Sequence, residues 1–348
     1  MRPVSAADVA GYLLERGLLD PRAVVHARLT VVDRSGLNDV FVVTAEGEPR
    51  LVLKSGPSVP REAAVLERLR AAAGAALARA LPVPIAHDPV AEVLVLAAAP
   101  GARDLTRHHA RGRFSRALAG EAGRALALLH AVPPEALDGL GPLPPAVPPH
   151  RPDLVTLRTL SGAAVELTRI VQRSADLCSE LDALLARPAA APSVIHGDVR
   201  WGNLVALRGG GRWSRLQLVD WEHCALGDPA ADVGAFIGEY LRAWRRSIPV
   251  ADPRDAGPMV ARARAPLRRM RPALRAFWSA YVRHRRGDEA PGVTLRRSLR
   301  FAGVRLLLAA YEEAQAADEL GPRVLGLLPL SHNVLSRPDE ALELLELA

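Results

Sequence analysis

The stretch Val194-Ile195-His196-Gly197-Asp198-Val199-Arg200-Trp201-Gly202-Asn203-Leu204 decides the reading of this chain. Apolar residues enter and leave it, and between them Asp198 stands five residues before Asn203. Seventeen residues further on, Leu218-Val219-Asp220-Trp221-Glu222 sets another carboxylate at the end of an apolar run. A carboxylate, an amide and a second carboxylate at strand ends are what phosphoryl transfer needs. One carboxylate meets the attacking hydroxyl, and hard oxygen donors hold a divalent cation on the phosphates. Asp198 suits the first task, and Asn203 with Asp220 the second.

Working back toward the N-terminus, the next informative residue is Lys54. Lysine and arginine total 45, and Lys54 is the single lysine. Arginine is a broad planar fork, whereas lysine is a compact charge on a thin stem. A chain that uses arginine everywhere else and lysine once points to a narrow slot at that place. Lys54 ends the strand-like run Leu51-Val52-Leu53, and Glu62 follows inside the helical stretch Arg61-Glu62-Ala63-Ala64-Val65-Leu66. A strand lysine followed by a helix glutamate is the ion-pair arrangement of a kinase nucleotide site.

Periodicity predicts a helix over Ser5–Leu19, capped by Ser5, then strands over Val24–Val32, Asp39–Ala45 and Arg50–Lys54, with a turn at Glu46–Pro49. A helix over Pro60–Ala73 and strands at Val83–Ile85 and Glu92–Leu96 complete a small α+β lobe, residues 1–97. Ala97 to Gly101 reads as a hinge. Residues 98–348 read as a larger, mainly helical lobe: Ser115–Ala131, a proline-rich loop over Pro133–Pro152, helix over Val155–Ala186, strands within Val194–Glu222, and helices from Pro229 to Leu347. Gly209-Gly210-Gly211 reads as a hairpin turn rather than a phosphate cradle.

Bulk properties narrow the classes. Hydrophobic residues are 49% and charged residues 24%, ordinary for a globular chain with a sizeable core. The net charge is +7, yet the arginines are spread through helical segments with no aromatic platform, so nucleic-acid binding is not expected. Cys178 and Cys224 make neither a disulfide framework nor a metal spacing, and no apolar signal core or membrane span is seen. These features suggest a cytoplasmic setting.

The motifs resemble the aminoglycoside phosphotransferase and choline kinase superfamily, a branch of the protein-kinase-like fold. His196-Gly197-Asp198 through Asn203 is similar to its catalytic loop, Val219-Asp220-Trp221-Glu222 to its metal-binding segment, and Gly227-Asp228-Pro229-Ala230-Ala231-Asp232 to the stretch that follows. Leu128-Leu129-His130 is similar to a helix end that precedes the loop. The resemblance implies a bilobal α+β kinase-like fold, ATP and Mg²⁺ as cofactors, and a hydroxyl acceptor. It implies that Asp198 takes the acceptor proton, that Asn203 and Asp220 bind magnesium, and that Lys54, held by Glu62, contacts the α- and β-phosphates. His196 would brace the loop and Asp232 anchor its backbone. Glu222 reads either as a second-shell metal group or as an exposed acid. Ser35-Gly36-Leu37-Asn38 occupies the phosphate-covering turn with one glycine, and Ser35, Gly36 and Asn38 are its candidate contacts. The adenine would lie against Ala97–Ala99.

A finer resemblance touches the acceptor. Asp198-Val199-Arg200-Trp201, Trp244, Ser247 and the ending Leu330–Pro338 look like kinases of class V lanthipeptide and thioamitide biosynthesis. These phosphorylate Ser or Thr of a precursor peptide for a partner lyase. The arginines at 262, 264, 268, 269 and 271 suit an acidic peptide better than a polycation. The alternatives are a small-molecule acceptor, such as an antibiotic, sugar or amino alcohol, and a pseudokinase binding subunit.

Overall fold

The computed structural model describes residues 5–22, 29–34, 38–44, 50–99, 101–140, 148–186, 192–249, 263 and 265–347. Helix α1 (Ala6–Glu15) starts where the Ser5 hydroxyl accepts the Asp8 amide at 3.2 Å. Five strands follow: β1 (Thr30–Asp33), β2 (Asp39–Thr44), β3 (Leu51–Ser55), β4 (Val83–Asp88) and β5 (Val93–Ala97). They form one antiparallel sheet in the order β1-β2-β3-β5-β4. Between β3 and β4 lie α2 (Val59–Ala72), with Pro60 in its first turn where no amide hydrogen is needed, and the short α3 (Ala75–Ala78).

The period of two along these strands divides the sheet into two jobs. Phe41, Val43, Leu51, Leu53, Val93 and Val95 point to one face and pack with Val9, Tyr12 and Leu13 of α1 in a separate small core. Val40, Val42, Val52, Lys54 and Leu96 point to the other face and roof a cavity. The alternation therefore both buries the sheet and aims Lys54 into the interior of the molecule.

The larger lobe opens with β6 (Arg103–Asp104), α4 (Leu105–His109) and α5 (Arg116–His130). The expected helix over Val155–Ala186 is instead three: α6 (Leu154–Thr159), α7 (Gly162–Arg173) and α8 (Ala175–Leu185). Leu160 is extended and Ser161 caps Ala164 at 3.2 Å, so a local side-chain bond competes with helix continuation; Ser174 breaks the run again at ψ 89°. Next come β7 (Ser193–Ile195), β8 (Leu204–Gly209), β9 (Arg212–Leu218) and β10 (Ala225–Gly227). β7 pairs with β10, and β6 pairs with β8, which pairs with β9; β6 and β10 were too short to read from sequence. Gly210 and Gly211 turn the β8–β9 hairpin at φ 57° and 79°, a left-handed pair that glycine adopts without penalty.

The chain ends in α9 (Pro229–Ser247), α10 (Leu267–His284), α11 (Pro291–Gln315), α12 (Pro322–Leu325), α13 (Leu327–Ser336) and α14 (Pro338–Leu345). The proline-rich segment 133–152 contains a 3-10 turn at Pro134–Leu137. The expected turn at Glu46–Pro49 and the start of the first strand at Val24 lie outside the described residues. Among the described residues no helix is long and apolar enough to cross a membrane. The architecture is a protein-kinase-like bilobal fold, a β-rich lobe on a helical one.

The main core joins both lobes. Phe236 of α9 stacks on Phe277 of α10 at 3.9 Å between ring centres. The α9–α11 contact closes on Gly234, where a β-carbon would stand 2.6 Å from Phe301 Cβ and 2.9 Å from the Ala302 nitrogen. Gly11, by contrast, faces open space. We expect Gly234→Ala to cost about 1–3 kcal/mol by overpacking. Gly11→Ala should be neutral or stabilise by roughly 0.5–1 kcal/mol through helix propensity. Urea unfolding of the two variants checks this; equal effects would mean that α9 and α11 are not in contact there.

Candidate active site

The two lobes meet at one buried cation. Lys54 Nζ lies 2.9 and 2.7 Å from the two carboxylate oxygens of Glu62 and 2.7 Å from Asp220 Oδ1. Its side chain is 8% exposed and that of Glu62 is fully buried. Burial works against the ammonium, but the Glu62 and Asp220 carboxylates outweigh it and raise the lysine pKa. Burial likewise opposes the charge of Asp220, and Lys54, then Arg200, hold its carboxyl below the usual range. Glu62 also accepts the Trp221 amide at 3.3 Å, which ties α2 to the segment after Asp220. Asp220 itself sits at φ 73°, an uncommon left-handed position for a residue other than glycine.

The loop after β7 is held from beneath. Asp232, in the first turn of α9, accepts the His196 amide at 2.7 Å and the Gly197 amide at 3.0 Å. Its carboxylate also bonds His130 Nε2 at 3.1 Å, and His130 Nδ1 reaches the Tyr281 hydroxyl at 2.9 Å. Burial pushes the Asp232 pKa up, but the His130 bond and the amides that it accepts win, and it is lowered. Gly197 is at φ 80°, and a side chain there would collide with the His223 carbonyl. His196 is fully buried against the Trp221 ring, 4.6 Å between centres. Burial lowers its pKa against the nearby carboxylates, so the ring is neutral. One tautomer satisfies it: Nε2–H donates to the Val219 carbonyl at 3.0 Å, and Nδ1 accepts the Asp198 amide at 3.3 Å.

Asp198 is thereby presented at the loop's outer edge. Asn203 donates from Nδ2 to Asp198 Oδ2 at 2.7 Å and to its carbonyl at 3.0 Å. Arg200 Nε lies 3.1 Å from Asp198 Oδ2, and its Nη2 lies 3.8 Å from Asp220 Oδ2. The guanidinium therefore joins the two acids that the sequence placed 22 residues apart. Sequence reasoning gave Arg200 no place among the candidate site residues. The signal was present as an arginine two places after Asp198, but one arginine among 44 carries little information. Two carboxylates that already draw a cation, with the Asn203 amide bonded through its nitrogen to one of them, fit Mg²⁺, which takes few protein ligands and keeps its waters.

Glu222 is neither exposed nor directed at Asp220. Its carboxylate accepts Asn38 Nδ2 at 2.8 Å and the Ser58 hydroxyl, and its side chain is 13% exposed. Asn38 also bonds Ser58 at 2.7 Å. This bridge fastens the start of β2 and the cap of α2 to the other lobe, and it leaves only the Asn38 backbone for a phosphate. Ser35 and Gly36 lie outside the described residues.

Two cavities flank this assembly. One, about 340 Å³, lies under the sheet, lined by Val40, Val52, Lys54 and Ala97–Ala99, with Val205, Gln217 and Val219 as its floor. The other, about 640 Å³, opens beside Asp198 between α9 and α11. Leu160, Leu185, Ala235, Phe301, Val304 and Leu308 make it largely apolar, with Glu312 and Gln315 at its far side. Of the expected arginine cluster, Arg268, Arg269 and Arg271 do not line it. Arg268 and Arg269 are exposed at the start of α10, Arg271 is bonded to the Leu344 carbonyl and Glu346, and positions 262 and 264 lie outside the described residues. The cluster was placed at the acceptor by its position in the chain, but α11, not α10, packs across the catalytic loop.

The chain matches the phosphotransferase enzyme family over residues 29–277 and belongs to it. It is a phosphotransferase acting on a hydroxyl group, with ATP and Mg²⁺ as cofactors. No curated protein matches it. Among solved structures it is similar to macrolide 2'-phosphotransferase MphH from Brachybacterium faecium, at 20% identity and TM-score 0.51 over 95% of this chain and 98% of that one. A choline/ethanolamine kinase family protein from Mesorhizobium loti matches at 16% identity and TM-score 0.55, over 98% and 99%. Amicoumacin kinase hAmiN matches at 15% and TM-score 0.54, over 96% of each chain. At these identities the likeness is one of fold.

Beneath Trp201, His109 is 4% exposed and packs edge-on to the indole at 4.6 Å. Neither ring nitrogen has a hydrogen-bond partner among the described residues, and burial pushes the imidazole down to about 3. An unfolded chain restores a pKa near 6.5. The folded value is the lower one, so this histidine's contribution is complete above about pH 6.5 and is lost as pH falls toward the folded value. Lowering the pH from 7 to 5 should cost about 2 kcal/mol through His109. Urea unfolding of His109→Phe should show a smaller acid loss by that amount; an unchanged loss would mean His109 is not buried neutral.

Proposed function

We propose that this phosphotransferase moves the γ-phosphoryl group of ATP to a hydroxyl of an apolar-bodied small molecule seated between α9 and α11. The observation that carries this reading is the apolar cleft of about 640 Å³ that opens on Asp198. Its size falls in the range of small-ligand sites. A macrolide, the acceptor named for one structural neighbour, has that apolar, hydroxylated character.

Each residue has a task. The adenine lies in the cavity under the sheet against the backbone of Ala97–Ala99. Lys54 holds the α- and β-phosphates, and Glu62 fixes its direction. Asp220 and the Asn203 amide would hold the magnesium, which when bound would neutralise phosphate charge. Asp198 orients the acceptor hydroxyl and takes its proton as the new oxygen–phosphorus bond forms and the bond to the β–γ bridging oxygen breaks. Arg200, already between Asp198 and Asp220, offsets the charge of the transferring group. Ser35 and Gly36 would cover the phosphates with backbone amides.

A precursor-peptide acceptor has less support. Of the arginines that suggested it, Arg268, Arg269 and Arg271 do not line the cleft. The C-terminal segment that suggested it is packing material: Ser331 donates to the Gly303 carbonyl at 2.7 Å, and Val334 and Leu335 are buried. A pseudokinase is disfavoured by the intact set Lys54, Glu62, Asp198, Asn203 and Asp220.

ADP release with ATP and Mg²⁺ against macrolides, aminoglycosides, choline and Ser/Thr peptides tests the acceptor. Turnover should be fastest with the apolar hydroxylated ligands; turnover with peptides alone would overturn the proposal. Asp198→Asn should keep ATP binding by calorimetry and lose roughly 10²–10⁴-fold in kcat; a loss of only a few-fold removes Asp198 from its task. Lys54→Arg should lose about 100-fold despite keeping the charge, because a wider guanidinium cannot sit between Glu62 and Asp220 without displacing the phosphates. Full activity there would mean that the single lysine is an accident of composition.

A further inference from the structure

A third hollow lies on the reverse side of the β8–β9 hairpin. Side chains alternate along β9: Gln217 and Val219 face the cavity under the sheet, while Ser214 and Leu216 face this other hollow. Its main part, about 690 Å³, is a groove between α5 and α10. A continuation of about 200 Å³ reaches α3 and shares Glu121, Arg124 and Ser214 with it.

The groove exists because its floor is made of small residues. Ala117 and Gly120 of α5 face Ala276, Ser279 and Ala280 of α10, and one turn further Gly123 touches the Phe277 backbone. The helices approach closely there, and no large side chain fills the space above them.

The rim is basic. Arg116 and Arg124 stand on α5, Arg275 and Arg283 on α10, and Arg79 and Arg215 along the continuation. Six arginines face a single lining carboxylate, Glu121, which pairs with Arg124 at 3.3 Å. Arg275 is drawn to Glu346 at 2.7 Å. The side chains of Arg79, Arg116, Arg215 and Arg283 make no ion pair or hydrogen bond among the described residues. Other arginines of the same helical lobe do meet carboxylates: Arg296 pairs with Asp339 at 2.6 Å, Arg297 with Glu289 at 2.6 Å and Arg300 with Glu180 at 2.7 Å.

We propose that this groove binds a small ligand carrying clustered phosphates. Eight residues of helix separate Arg116 from Arg124, and eight separate Arg275 from Arg283, about 12 Å in each case. An extended acidic peptide puts one side chain on a given face about every 7 Å, so it offers two carboxylates to each row. Clustered phosphates bring several charges into the same span, and each phosphate accepts a guanidinium fork bidentately. The hollow has the volume of a small-ligand site. Because the hairpin is shared, a ligand here would bear on the floor of the nucleotide cavity from behind.

Calorimetric titration of the full chain with inorganic tripolyphosphate tests this. Arg116→Ala/Arg283→Ala should weaken binding by roughly tenfold or more, the scale of losing charge-assisted bonds. Arg268→Ala/Arg269→Ala, two exposed arginines on α10 outside the groove, should leave it within about twofold. The same titration of the wild-type chain under saturating AMP-PNP and Mg²⁺ should show the same binding. Equal weakening by both arginine pairs would reduce the effect to overall surface charge and overturn the proposal. Loss of binding under saturating AMP-PNP would place the tripolyphosphate in the nucleotide cavity and overturn it too. A hexaglutamate peptide binding more tightly than tripolyphosphate would overturn the ligand class. Flotation with vesicles carrying phosphoinositide headgroups, run on the same variants, separates a lipid headgroup from a soluble ligand as the source of the phosphates.

Discussion

The structure depends on a buried ammonium shared by three chain segments. Lys54 comes from a strand, Glu62 from a helix of the same lobe and Asp220 from the end of β9 in the other lobe. Desolvating these charges is costly, and only their mutual attraction at bonding distance offsets it. Removing one partner would strand the other two, a loss of about 3–5 kcal/mol. The triad thus does two things with one set of bonds. It fixes the relative position of the lobes, and it keeps a cation and a carboxylate charged and aimed at the place where phosphates and magnesium belong. The Asn38–Glu222–Ser58 bridge adds a second fastening, neutral on one side, that leaves the triad's geometry undisturbed.

Around that constraint the catalytic loop is a supported object rather than a flexible one. Asp232 binds two consecutive loop amides, His130 and Tyr281 stand behind Asp232, and neutral His196 spans from the Asp198 amide to the Val219 carbonyl. Of these groups only Asp232 also lines the cleft beside Asp198; His130, Tyr281 and His196 do not. Their effect is positional: a carboxylate held by Asn203 and Arg200 needs little reorganisation when a hydroxyl arrives. The price is a run of buried polar groups whose satisfaction depends on single protonation states.

The β8–β9 hairpin gives the molecule its two-sidedness. Alternation sends one set of side chains to the nucleotide cavity and the other to the arginine groove. A glycine pair turns the hairpin tightly enough for both faces to be used. Gly123 lets α5 and α10 approach closely, and one turn before it Ala117 and Gly120 leave the groove open. Packing and surface chemistry are set there by one choice of side-chain size.

Sequence alone determined the sheet-forming runs of the small lobe, the helices with strong caps and the hairpin glycines, and it singled out Lys54, Glu62, Asp198, Asn203 and Asp220, which folding brings into contact in two linked groups. Those are local signals: strand alternation, a capping serine, a carboxylate at a fixed spacing from an amide. The tertiary structure decided what local signals cannot carry. Arg200 becomes informative only when folding sets it between two acids, and Glu222 only when it meets Asn38 and Ser58 across the lobes. The break of Val155–Ala186 into three helices needed the competition between Ser161 and the helix ladder to be resolved by packing. The apolar character of the acceptor cleft needed the knowledge that α11 rather than α10 crosses the catalytic loop. Charge density along a chain says how basic a segment is; only the direction in which its helix packs says what that charge faces.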